Sequence, residues 1–267
     1  MTLFDAIIVG SGPAGTFAAY SLRNNNVLML DVGFKPPVSN DLDDNIFRLR
    51  QKNKDMFHSL IGDNFESLHN IHSKKISLKV KSPYMSYVIK DWEKLSPVIS
   101  DDFEGVLSFA KGGLANAWGA GVYRFNDEDL KDFPIKASEL STYYDQLTEH
   151  IGISGQNDDL EQYFGHDDKL MEPMLLSRFA SEFLAKYGKN RSYFNNRGIF
   201  VGMPRLAVLT RNHNGREAYR YDNSEFFRPD IPAVYTPAYT LNQLISEGSI
   251  QYKDQFLVTA YRENEDH

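Results

Sequence analysis

Six residues near the start of the chain have the spacing that lets backbone close on a phosphate. They are Gly10-Ser11-Gly12-Pro13-Ala14-Gly15, a G-x-G-x-x-G run. Gly10 permits a tight turn. Gly12 has no side chain, so backbone can approach a pyrophosphate. Gly15 lets a following helix lie close on a sheet. Pro13 and Ala14 open that helix, whose N-terminus offers N–H groups and a partial positive charge to phosphates. The context matches. The apolar run L-F-D-A-I-I-V comes before, the helix-like T-F-A-A-Y-S-L-R comes after, and a second apolar run, Val27 to Leu30, ends in Asp31. Asp31 lies 21 positions after Gly10, near the ~20 expected of an acid that accepts hydrogen bonds from a ribose diol. This pattern predicts a strand, a phosphate loop, a helix and a second strand bearing a dinucleotide. A glycine turn in some other α/β protein would not explain the acid that closes the second strand.

A second glycine group lies at Lys111-Gly112-Gly113-Leu114-Ala115-Asn116-Ala117-Trp118-Gly119-Ala120-Gly121. Paired glycines let backbone pass where a Cβ would clash. Their N–H groups, with Asn116 and Trp118, are candidates to meet the rest of a cofactor. The same residues also admit a plain turn at Gly112-Gly113 and a core tryptophan at Trp118.

Composition narrows the chemistry. The chain has 267 residues, a formal charge of −7 and no cysteine. Disulfides, zinc-thiolate sites and cysteine nucleophiles are therefore excluded. The charges are mixed along the chain and net acidic, which argues against a nucleic-acid partner. His69 and His72 form an H-x-x-H pair, but no neighbouring carboxylate-and-histidine set completes a metal site, and none is expected. No basic and apolar leader precedes the first strand, and no apolar stretch approaches the ~20 residues of a bilayer span. A soluble, cytoplasmic protein is the default expectation.

The remaining elements must position these groups. A helix is expected over 41–60, within an insertion at about 36–85 that packs over the nucleotide domain. Extended structure is expected over 75–89. A helix is expected behind Ser138, with Leu140, Tyr144, Leu147 and Ile151 on its buried face and Gly152 as its stop. The stretch 175–187 has the clearest amphipathic pattern, with Leu176, Phe179, Ala180, Phe183, Leu184 and Tyr187 on one side. Strands are expected at 199–201 and 206–209, in a second domain containing a sheet. A short helix at 241–245 and a strand and turn over 250–261 lead out. Residues 1–150 and 240–267 are assigned to the nucleotide domain, and 151–239 to part of a second domain.

With both glycine groups in hand, the chain resembles the FAD-dependent glucose-methanol-choline oxidoreductases, closest to the branch like pyranose oxidase. The resemblance rests on G-S-G-P-A-G with Asp31, on K-G-G-L-A-N-A-W-G, and on the terminal I-Q-Y-K-D-Q-F-L-V-T-A-Y. It implies an α/β fold: a Rossmann-like FAD-binding domain with a mainly parallel sheet, plus part of a substrate or cap domain. It also implies contacts to FAD from Gly112, Gly113, Asn116 and Trp118, and an adenine held by the strand backbone at Val258. Three positions depart from the family pattern. Leu114 and Ala115 stand where small, often hydroxylated residues are usual. Ala117 stands where a covalently linked branch has histidine, so the resemblance implies non-covalent FAD.

The implied reaction is oxidation of the CH–OH group of an alcohol or sugar-like substrate by hydride transfer to flavin. The family's base is a histidine near its C-terminus. None of the histidines here, His150, His166, His213 and His267 among them, stands at a matching position. The catalytic residues are therefore unassigned, and the chain reads as the N-terminal portion of such an oxidoreductase, completed by a further domain or chain. Two other readings stay open. One is an NAD-dependent reductase, for which the second glycine group would have no role. The other is a non-catalytic nucleotide-binding fragment or subunit.

Overall fold

The computed structural model describes residues 3–37, 51, 57–68, 77–99, 101–102, 105–221 and 233–263. Its contacts divide the chain into two compact units. One comprises Met1–Trp118, Tyr221–Ile231 and Thr236–His267; the other comprises Gly119–Arg220 and Pro232–Tyr235. Residues 119–150, grouped by sequence with the nucleotide domain, cluster in the second unit. Four longer helices organise the described residues: α1 (Pro13–Ser21), α2 (Ala137–Ile151), α3 (Arg178–Lys189) and α4 (Pro237–Ser246).

The first unit is built on three parallel strands, β1 (Ala6–Val9), β2 (Val27–Leu30) and β3 (Gln251–Lys253), in the order β1-β2-β3. Ala6 pairs with Val27 and Leu30 with Lys253, so the middle strand joins chain segments more than 200 residues apart. Helices α1 and α4 pack on each other. Their Ala19, Leu241 and Leu244 close with Val27, Met29 and Ile250 into one buried cluster, which Ala6, Ile8 and Tyr252 flank. Both helices begin with proline in the first turn, where a missing N–H costs nothing. On β1 the alternate residues Ile7 and Val9 remain about 60% exposed. Parallel sheets are normally covered on both faces, and among the described residues these two side chains have no such cover. The mixed, parallel-sheet α/β class agrees with the expectation from sequence.

Several local expectations change. Most of the helix expected over 41–60 lies outside the described residues, as do His69 and His72; Phe57–Ile61 is helical. The stretch 77–89 is not extended. It forms two 3-10 turns, Leu78–Lys81 and Ser86–Ile89. The Ser77 hydroxyl accepts the Lys79 N–H, and the Ser82 hydroxyl donates to the Lys79 carbonyl. Local bonds of this kind compete with a strand ladder. Tyr87 and Val88 then pack with Met85 and Ala110 in a second cluster. The last helix is longer than the 241–245 expected. Strand β3 covers Gln251–Lys253, and a turn follows it, within the strand and turn expected over 250–261. Gln255 turns at φ 63°, and the N–H groups of Gln255 and Phe256 donate to the carbonyls of Val32 and Asp31.

In the second unit, α2 starts at Ala137 rather than behind Ser138. The Lys136 N–H donates to Glu139 Oε1 at 2.9 Å, and the Ala137 N–H donates to Asp127 at 2.9 Å. A distant carboxylate therefore caps this helix in place of the local serine. Gly152 ends it, at φ 77°. A Cβ there would stand 2.4 Å from Leu209. The expected strands do not form. Leu206 and Val208 make isolated bridges to Gly121, Ser154 and Val234, and 199–201 is not in a strand. The Met203 N–H goes to the Asp158 carboxylate at 2.7 Å, and Pro204 has no N–H to give a ladder. Buried ions hold these loops instead. Arg205 donates to the carbonyls of Phe164 and Gly165, at 2.9 and 2.6 Å. Asp167 accepts from Arg124 at 2.6 Å and from Thr148 at 2.9 Å. Helix α3 spans 178–189 and is capped by the Ser177 hydroxyl, which accepts the Ala180 N–H. Its expected buried side is only partly buried: Tyr187 is inside, while Phe179 and Phe183 are exposed.

Leu241 joins the sheet to α4 and has no exposed surface. Leu241→Ala is expected to lower stability by about 2–5 kcal/mol. Urea denaturation followed by circular dichroism measures this; a loss within the error of the extrapolation would remove that cluster from the centre of the fold.

Candidate functional site

The turn from β1 into α1 is made by Gly10 at φ 85°, whose N–H donates to the Leu30 carbonyl at 2.8 Å. The Thr16 N–H is bonded to the Gly12 carbonyl, so Ala14 and Gly15, which precede it in the first turn, have no carbonyl within the helix to donate to. Thr16 also sends its hydroxyl to the Ser11 carbonyl at 2.9 Å, pinning the loop from below. A Cβ on Gly15 would lie 2.0 Å from the Gly10 carbonyl oxygen, so only glycine allows this helix to sit so close. A Cβ on Gly12 would meet nothing within 4 Å. Gly12 also has ordinary extended backbone, φ −63° and ψ 179°, so its lack of a side chain is not needed for folding. The space beside it is what a ligand would use.

Tertiary structure brings the second glycine group to this loop. A Cβ on Gly113 would lie 3.0 Å from the Gly12 Cα, and the Gly112 N–H donates to Ser11 Oγ at 3.0 Å. Gly112 and Gly113 have φ of 95° and 65°, a left-handed pair suited to glycine. Asn116 is buried. Its amide donates to the carbonyls of Lys111 and Gly113, at 2.9 and 2.8 Å, and so holds its own turn. Trp118 is half-buried, and its carbonyl accepts from Lys79 at 3.4 Å. Val258 is half-buried and lies beyond the end of β3, not on a strand.

Asp31 sits at the end of β2 and is only 6% exposed. Its Oδ2 accepts from the Ser11 hydroxyl and from Tyr252 Oη at 3.0 Å. Burial pushes this carboxyl above its ordinary range, and the Ser11 and Tyr252 hydroxyls, with the adjacent backbone N–H groups of Val32 and Gly33, oppose the shift. Burial and the neighbouring Asp31 charge push the Tyr252 hydroxyl upward, so it stays protonated and donates. Gly33, at φ 68°, leaves room for that hydroxyl: a Cβ there would lie 2.5 Å from it. Around this pair lie Lys35, bound to Asp254 at 2.7 Å, and Lys111, bound to Asn242 at 2.6 Å with its ammonium 5.0 Å above the Tyr252 ring. Burial and the charge of Lys35 lower the Lys111 ammonium below the usual lysine range. A cavity of about 400 Å³ opens beside Gly33, lined by Phe34, Lys35, Leu95, Asp254, Gln255 and Leu257.

The fit to a dinucleotide is therefore divided. The open flank of Gly12 and the first turn of α1 suit a pyrophosphate. Asp31 Oδ2 already accepts from Ser11 and Tyr252, so a ribose would have to use Oδ1 or take the place of one of those hydroxyls. Sequence reasoning missed Tyr252, Lys35, Lys111 and Asp254 as parts of this site. Tyr252 is 221 positions from Asp31, and nothing local marks it as a partner.

Among the described residues, no cluster of histidine and acidic side chains is placed to hold a metal ion, and no helix is long and apolar enough to cross a membrane. No protein-family model matches the chain, and no curated protein matches it.

Two measurements test this geometry. Gly15→Ala forces its methyl into backbone and is expected to cost about 1–3 kcal/mol in denaturant titrations, against little change for Gly12→Ala. Equal costs would contradict the packing of loop on helix. The second concerns pH. Because Asp31 is raised in the folded state, its contribution to stability is full below the ordinary carboxylate pKa of about 3.9 and is lost as pH rises through the raised value. The melting temperature of Asp31→Asn should therefore gain on that of the parent protein as pH rises across that window. Parallel melting profiles would refute a raised Asp31.

Proposed function

We propose that the chain binds FAD non-covalently and belongs to an oxidoreductase that oxidises the CH–OH group of an alcohol or sugar-like substrate. The observation that carries the binding half is the convergence of two glycine groups from distant parts of the chain. Gly112 donates to Ser11, and Gly113 lies against Gly12, leaving the flank of Gly12 open. A plain turn at residues 112–113 would not require a left-handed pair pressed against the phosphate loop. An NAD site would use the first loop and leave the second without a role.

In this reading, the N–H groups of Ala14 and Gly15 and the dipole of α1 hold the pyrophosphate. Gly12 gives the space for its approach. Gly112 and Gly113 bring further backbone to the same edge of the loop. The cavity beside Gly33 is of a size to take the adenine end, with Leu257 rather than the Val258 strand backbone as its apolar wall. Bound flavin would supply the hydride acceptor. Asp31 acts through others: it fixes Ser11 and Tyr252, and so fixes the shape of the loop. The substrate class rests on the resemblance of the glycine motifs, and no side chain here is assigned as the base. The bare Ile7 and Val9 of β1 support a further domain or chain that covers this sheet. A subunit that binds the cofactor while another polypeptide supplies the base is compatible with the same observation.

The test is the visible absorption spectrum of the purified protein, repeated on the supernatant after acid denaturation. Flavin bands that leave with the supernatant are expected. Gly12→Ala should keep its melting temperature in the absence of cofactor yet weaken uptake of added FAD at least about tenfold, because the added methyl occupies ligand space. A colourless protein that takes up no FAD would overturn the proposal, and preferential quenching by NADH titration would move it to the nicotinamide reading.

A further inference from the structure

Helix α3 exposes the apolar side that its sequence pattern would bury. Phe179 is 80% exposed and Phe183 52%. They stand four residues apart, on one flank of the helix. The surrounding segment is basic. Between Arg178 and Arg197 the chain carries Arg178, Lys186, Lys189, Arg191 and Arg197 against the single acid Glu182, although the whole protein has a charge of −7. Arg178 is paired with Glu182 at 2.8 Å, and Arg191 with the buried Asp159. Lys186, Lys189 and Arg197 have no carboxylate partner among the described residues. Lys186 lies three residues beyond Phe183 and seven beyond Phe179, which puts its ammonium on the same flank as the two rings. Arg197 stacks on the exposed Tyr193 ring at 3.7 Å.

We propose that this flank of α3 seats on an anionic lipid surface, with the two phenylalanines entering the boundary between headgroups and acyl chains and the lysines meeting the phosphates. A helix with aromatic residues on one side, lysines beside them and little overall hydrophobicity lies in an interface rather than crossing it. Charge decides between this occupant and a second copy of the chain. A two-fold contact would set the basic flank of one copy against the same basic flank of the other, and like charges would oppose it. An anionic bilayer offers both an apolar layer and the complementary charge.

The experiment is co-sedimentation of the full chain with vesicles of phosphatidylcholine alone and with about 30% phosphatidylglycerol. Binding is expected only to the anionic vesicles, and should fall steeply as salt is raised to about 0.5 M. Phe179→Ser with Phe183→Ser, and separately Lys186→Glu with Lys189→Glu, should each weaken partitioning at least about tenfold. Their thermal melts should match the parent protein, since both pairs face solvent. If the phenylalanine pair fails to fold, the lysine pair decides alone. Absence of binding to anionic vesicles overturns the proposal, as does binding that neither pair of substitutions reduces. A dimer that becomes monomeric in the phenylalanine variant, with no binding to vesicles, also overturns it and assigns the face to a second copy.

Discussion

The buried carboxylate of Asp31 is the constraint on which the first unit depends. It ends β2, and through Ser11 it reaches the glycine loop between β1 and α1. Through Tyr252 it reaches β3, which arrives from the far end of the chain. Through the same Ser11 hydroxyl it is linked to Gly112 and the second glycine turn. A carboxylate held this far from water is costly unless its lone pairs are filled. The Ser11 and Tyr252 hydroxyls meet its Oδ2, and each comes from a segment that this carboxylate ties to β2. Loop shape and carboxylate satisfaction are thus one condition.

That condition changes what an acid at this position does. Read locally, Asp31 is an acceptor for ribose hydroxyls. In the folded protein its Oδ2 is already taken by Ser11 and Tyr252, and its burial favours the protonated form. The groups left to face a ligand are backbone N–H groups at the start of α1, the bare flank of Gly12, and the paired cations Lys35 and Lys111 at the rim. Recognition by backbone and by glycine space suits a pyrophosphate, whose charge is met by dipoles that need no rearrangement.

The second unit has a different economy. Where sequence alternation points to strands, the backbone is held by side chains instead: the half-buried Asp158 takes the Met203 N–H, and the buried Arg205 caps the carbonyls of Phe164 and Gly165. Loops fixed this way can depart from regular ladders without leaving polar groups unpaired. The consequence is a unit whose shape follows its ion pairs, with α3 presenting its aromatic flank outward rather than against a sheet.

Sequence alone determined the strand, loop, helix and strand at the start of the chain, because each step there is local: apolar runs of strand length, glycines at fixed offsets, a proline in the first helical turn. It also determined the parallel α/β class, the stop of α2 at Gly152 and the existence, though not the ends, of α2, α3 and α4. Tertiary structure alone decided that Gly113 lies against Gly12, that Tyr252 closes over Asp31, and that Phe179 faces solvent. It also decided that Asp127 rather than Ser138 caps α2, and that serines turn 77–89 into 3-10 structure. These outcomes depend on contacts between residues far apart in the chain, and no periodicity or local propensity encodes which distant side chain will arrive to satisfy a buried polar group.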